Sequence, residues 1–273
     1  MGLNPIGYKP WKGMRTEHSR RFLVIADSIV RHKLKSKGFL AMLILGTILV
    51  HVLPLILYSL MPHEALEADV MRDYLGGGLF FIFSVILVSL VCSDLLSDDL
   101  RSNSIILYLS RALRVEGYLL GKWVGAMICI GLFTLLPPLL VGVAITATQS
   151  GGDYLSSLAV IGRTLVAGIW SAAFLVPLGM AVSSITSRRT FAGVGTFMAF
   201  FTLMIISGIF SEFSSDWSML SPDLLLRYSQ TVIFGLRLPS HADPALMGAV
   251  ILALTVPPLL LVYYRLRMKG AGK

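Results

Sequence analysis

"GGGLFFIFSVILVSLVCS", Gly76–Ser93, decides the fold. It carries no charged side chain and approaches the run of about 20 apolar residues that a helix needs to cross the hydrocarbon core of a bilayer. Five further stretches meet the same test: Phe39–Met61, Trp123–Ala147, Ala159–Ile185, Phe191–Phe210 and Gly248–Tyr264. The fourth in chain order, Ala159–Ile185, is the least clean, because Arg163 stands near its start. Hydrophobic residues make up 55% of the 273-residue chain and charged residues only 14%. So much apolar text could not all face one soluble core. The expected fold is an all-α polytopic membrane protein with six transmembrane helices.

Charge placement predicts the orientation. Before the first stretch stand Lys9, Lys12, Arg15, Arg20, Arg21, Arg31, Lys33, Lys35 and Lys37, against Glu17 and Asp27. The next connector reverses the balance, with Glu64, Glu67, Asp69 and Asp73 against Arg72. Arg101, Arg111, Arg114 and Lys122 follow the second stretch; Arg188 and Arg189 follow the fourth; Arg265, Arg267, Lys269 and Lys273 close the chain. Lys and Arg bias connectors toward the cytoplasm, so both termini are expected there. The net charge of +8 is then a membrane-surface signature rather than a nucleic-acid footprint. Cys92 and Cys129 fall inside apolar runs and read as small core residues, neither a disulfide nor a metal site. No early apolar segment with a small-residue cleavage site precedes Phe39, so no cleaved signal peptide is expected.

Three elements outside the spans carry pattern. Residues 1–38 form a basic N-terminus in which Phe22, Ile25, Ala26 and Ile29 recur at helical spacing, predicting an amphipathic interfacial helix that turns into the first span near Gly38. Residues 39–264 form the six-span domain, with a cytoplasmic loop at 94–122 and an outer segment at 211–247, and 265–273 is a basic tail. In the outer segment, Ser221-Pro222-Asp223 is a helix start, and Leu224, Leu225, Tyr228, Val232 and Ile233 follow. That helix fits either a dip into the outer leaflet or a flap packed on the bundle.

Catalytic text is sparse. Within the spans only His51 and Arg163 stand out as ionisable. A lone His more often satisfies a neighbouring helix than binds a ligand, and Arg163 is close enough to the outer surface to snorkel. No zinc-protease or nucleophile-elbow motif is present. Gly117-Tyr118-Leu119-Leu120-Gly121-Lys122-Trp123 is not a phosphate-binding loop: the spacing is one residue short, and Trp replaces the hydroxyl that would hold magnesium. The chain is expected to be non-catalytic.

The 94–122 loop is more ordered than a connector requires. Ile105, Leu109 and Leu113 give one apolar helix face, Asp98 and Asp99 stand upstream where a helix start favours negative charge, and Gly121 and Lys122 lead back into the membrane. A short helix tied to two spans is a lever for force from a soluble partner. Its bland alternative is interface solvation.

These residues resemble the type-2 ABC transporter permeases, in the copper-maturation-like branch of small six-span subunits. That family has an acidic segment, a Gly-Thr-Leu helix, a Ser-Arg-Pro-x-x-Arg turn and Tyr-x-x-Gly-Lys opening the third span. The matching text is Asp98-Asp99, Asn103-Ser104-Ile105, Leu109-Ser110-Arg111-Ala112-Leu113-Arg114 and Tyr118-Leu119-Leu120-Gly121-Lys122. Asn103-Ser104 departs from Gly-Thr, and Ala112 from the proline. The resemblance implies a permease subunit, an exporter, in the cytoplasmic membrane of a bacterium or archaeon. It implies a second permease copy or a similar permease beside it, and ATP-binding subunits that hold ATP and Mg beneath it, with no cofactor on this chain. The residues it implies for ATPase coupling are Asp98, Asp99, Arg101, Ile105, Leu109, Ser110, Arg111, Arg114, Gly121 and Lys122. The alternative is a non-transporting membrane anchor that recruits a cytosolic ATPase. Substrate residues, and the substrate itself, are not legible.

Overall fold

The computed structural model describes residues 21–59, 68–105, 114–148, 154–240 and 242–271, and every regular element among them is helical. Six runs are long and apolar enough to span a membrane: Lys37–Ile56, Gly78–Arg101, Val115–Ala147, Ser157–Ile185, Arg189–Ser211 and Pro244–Lys269. All six expected spans are present, and the chain is an all-α multi-pass membrane protein.

The helices are α1 (Arg21–Leu34), α2 (Lys37–Thr47), α3 (Leu53–Ser59), α4 (Ala68–Leu75), α5 (Gly78–Cys92), α6 (Ser97–Arg101), α7 (Val115–Thr134), α8 (Leu136–Thr148), α9 (Tyr154–Ile185), α10 (Arg189–Ser211), α11 (Pro222–Ile233) and α12 (Pro244–Ala271). The second span is the axis of the bundle: 72% of its central window is buried, against 17% for the fifth and sixth spans. The fifth span leaves Phe191, Val194, Met198, Ile205 and Ile209 exposed in one helical stripe, the face that hydrocarbon would cover.

Proline explains the breaks. In the first span, Pro54 offers no N–H to the carbonyl four residues back, and the helix widens to a π turn at Ile48–Val52 in which Leu53 N–H donates to Ile48 O. The third span breaks at Leu135, just before Pro137-Pro138, and resumes as α8. The break seats on a glycine of the fourth span. A Cβ on Gly168 would lie 2.6 Å from Thr134 O, and the Thr134 hydroxyl donates to Gly168 O at 3.0 Å. Pro177, Pro257 and Pro258 sit inside continuous helices.

Two boundaries differ most from the sequence expectation. The second span runs past Ser93 into α6, and the third begins at Val115 rather than Trp123, so much of the 94–122 loop is helix continuing from the spans. The reason is packing: α1 covers the start of α7. A Cβ on Gly121 would meet Phe22 O at 2.7 Å, and one on Gly125 would meet Ile29 Cδ1 at 2.9 Å. The small-residue face therefore serves packing within the chain, and α1 buries Ala26, Ile29 and Lys33.

The connectors gather at two ends. At one, Lys33 before the first span, Asp94 near the end of the second and Arg189 at the start of the fifth meet, and Tyr263 Oη of α12 donates to Glu116 Oε1 of α7 at 3.2 Å. At the other, Arg227 of α11 pairs with Asp73 of α4 at 3.3 Å.

Candidate functional site

The basic end contains two polar centres. The first is Asp94, whose side chain is only 6% exposed. Lys33 Nζ lies 2.5 Å from Asp94 Oδ1 and also donates to Leu90 O at 2.7 Å. Arg189 Nη2 lies 3.1 Å from Asp94 Oδ2, and His32 Nε2 lies 3.6 Å away, neither in hydrogen-bond geometry. One carboxylate thus joins α1, the end of the second span and the start of the fifth. The signal was present in the sequence: Lys33 continues the apolar stripe Phe22, Ile25, Ala26 and Ile29 at helical spacing, and a long cation on a buried stripe needs a partner.

The second centre is Asp99. Lys122 Nζ lies 2.6 Å from its Oδ2, Ser104 Oγ donates to its Oδ1 at 2.9 Å, and the Tyr118 hydroxyl donates to Oδ2. Lys122 also donates to Leu95 O at 2.7 Å and sits 5.5 Å from the centre of the Tyr118 ring. The Tyr-x-x-Gly-Lys text is a clamp: Tyr118 and Lys122 stand one turn apart and close on the same acid, while Gly121 between them admits α1.

α6 is held from the other side as well. Its first free N–H groups, on Leu96 and Ser97, both donate to Ser183 Oγ of α9, at 3.2 and 3.3 Å. It ends with Ser102 N–H donating to Asp98 O, after which Asn103 takes φ 53°, the left-handed conformation that Gly and Asn adopt most easily. Asn103 therefore fills a position where glycine would serve.

Of the expected coupling residues, Asp98, Arg101 and Arg114 are exposed. Asp99 and Lys122 turn inward to each other, Ile105 is buried, and Gly121 is a packing contact. Leu109, Ser110 and Arg111 lie outside the described residues.

The ionisable residues of the spans have structural partners. His51 Nδ1 bonds the Tyr74 hydroxyl of α4, and the imidazole packs edge-on to Phe133 with centroids 4.6 Å apart. Burial pushes the Tyr74 phenol well above its ordinary value, so it stays a neutral hydroxyl. Arg163 reaches the end of α11: Nη1 donates to Phe234 O. That carbonyl ends a helix closed by Gly235 at φ 74°, with Gly235 N–H on Val232 O and Leu236 N–H on Thr231 O. Gln230 Nε2 donates to Ser171 Oγ of α9 at 3.0 Å, and Leu225 and Leu226 are buried. The helix therefore packs on the bundle through α9. Cys92 and Cys129 are free thiols in the core.

No protein-family model matches the chain, and no curated protein matches it.

Proposed function

We propose that the chain is the transmembrane permease subunit of an ABC-type exporter, driven by ATP-binding subunits docked beneath its basic end, with that end facing the cytoplasm. The observation that carries the reading is the Asp99 clamp. The exposed side chains of Asp98, Arg101 and Arg114 stand on backbone that Lys122, Tyr118 and Ser183 tie to the second, third and fourth spans. A push on that surface passes into three spans with little slack. Asp94 links the same region to α1 and the fifth span.

Two further features support it. The motif residues Asp99, Ser104, Tyr118 and Lys122 form one bonded cluster. Asn103, the departure from the family's glycine, occupies a left-handed backbone position that suits either residue. Switching a bundle almost wholly between two states takes about 5.5 kcal/mol of differential binding, a scale that nucleotide binding by partner subunits supplies.

The test is co-expression with an ATP-binding subunit encoded by a neighbouring gene. The proposal expects a stable complex whose ATPase activity falls in Arg114→Glu, and ATP-dependent solute or lipid movement in reconstituted vesicles. ATPase recruitment without any movement would instead identify a non-transporting anchor.

A further inference from the structure

At the basic end, beside the Asp94 centre, a pocket of about 480 Å³ is lined by Arg101, Ser187, Arg188, Arg189 and Thr190. Among the described residues its lining holds three guanidiniums, two hydroxyls and no acid. Lys33 already faces Asp94 at 2.5 Å, so Arg189 shares a carboxylate that has a closer cation. Among the described residues neither Arg101 nor Arg188 makes an ion pair. The pocket is therefore a concentration of uncompensated positive charge with bidentate donors, the chemistry that recognises a phosphate.

Its place in the fold selects among phosphates. Arg101 ends the second span, Arg189 opens the fifth, and Ser187 and Arg188 lie in the short turn from the fourth to the fifth. All of them stand at the ends of spans, where a bilayer would place its headgroups. The Arg188 guanidinium lies 5.7 Å from the centre of the Phe191 ring, and Phe191 opens the exposed apolar stripe of α10 with Val194 and Met198. A hydrocarbon face thus leads directly away from the cationic pocket. Basic pockets at span ends are suited to anionic headgroups for this reason.

We propose that this pocket binds the phosphate of an anionic phospholipid, with the acyl chains lying along the exposed face of α10. The inference stands apart from the transporter reading, since it needs only a membrane and these five residues. Bound lipid would sit against the turn that carries Arg189 and so against one arm of the Asp94 centre.

The test is native mass spectrometry of the purified, delipidated full chain in detergent, titrated with phosphatidylglycerol, with phosphatidylcholine, or with inorganic phosphate in phosphatidylcholine micelles. The expected result is preferential retention of phosphatidylglycerol, weakened about five-fold in each of Arg188→Gln and Arg101→Gln, the equivalent of about 1 kcal/mol per cation at an anionic surface. Arg188→Lys keeps the charge but not the bidentate fork, so it should lose less than Arg188→Gln, a graded response that a variant that merely misfolds would not give. Arg267→Gln, in the exposed basic tail, should change little. Equal retention of both lipids, or an equal loss in Arg267→Gln, would overturn the site. Displacement of phosphatidylglycerol by inorganic phosphate would overturn the lipid assignment in favour of a free anion. Unchanged lipid retention with reduced ATPase co-purification in the two Gln variants would overturn it in favour of a protein partner.

Discussion

The ammonium of Lys33 lies 2.5 Å from the carboxylate of Asp94 where both side chains are almost wholly buried, and this contact fastens the N-terminal helix to the end of the second span. Breaking a buried pair by removing one partner leaves the other desolvated and uncompensated, at a cost of about 3–5 kcal/mol. Lys33→Met is expected toward the lower end of that range, because Arg189 remains 3.1 Å from Asp94. Lys33→Met with Asp94→Leu should recover much of the loss. Thermal unfolding in detergent of both single variants and the double variant checks the coupling; strictly additive losses would show that the pair is not a unit.

Asp99 supports a second prediction. Tyr118→Phe removes one charge-assisted hydrogen bond and should cost about 1.5–3 kcal/mol. Lys122→Met should cost more, since it removes both the ion pair and the bond to Leu95 O. In the proposed complex with ATP-binding subunits, Lys122→Met is also expected to lower ATPase stimulation while leaving assembly in place. Assembly and ATPase rate are measured on the same preparation.

Six spans were legible because lipid leaves a helix little choice: length and apolarity suffice, and no partner need be known. The ends of the second and third spans were not legible. Ser97–Arg101 and Val115–Lys122 are polar enough to read as loop, and they are helical because Ser183, Asp99 and α1 satisfy and cover them. Lys33 illustrates the same limit in part: its place on the stripe with Ile25, Ala26 and Ile29 marks it as a cation in need of a partner, but only the three-dimensional position of Asp94 reveals which partner it has. Arg163 was legible as unusual but not as the cap of α11, because its acceptor Phe234 O lies far along the chain.

The turn at Asn103 supports a third prediction. At φ 53°, Asn103→Gly should be tolerated or slightly stabilising, whereas Asn103→Val should cost at least about 1–2 kcal/mol, since a β-branched side chain resists the left-handed region. Unfolding midpoints of the two variants differ in sign if the turn is as observed.

Gly121 supports a fourth. A methyl group there would press on Phe22 O at 2.7 Å and on Ile25 Cβ at 2.9 Å, so α1 must move away from α7. Gly121→Ala should cost about 1–3 kcal/mol and should expose the α1–α2 turn to protease. Cleavage after Lys33 or Lys35, followed by intact mass, distinguishes release of α1 from general unfolding.

The most direct test of the whole account is sidedness, read by thiol labelling in intact cells. Cys92 and Cys129 are buried and leave little background. A cysteine at the exposed Ser102, on the connector, should react with a membrane-impermeant maleimide only after permeabilisation, and one at the exposed Asp216, between the fifth and sixth spans, should react without it. Labelling of Ser102→Cys from outside intact cells would contradict a basic end that receives work from a cytoplasmic ATPase.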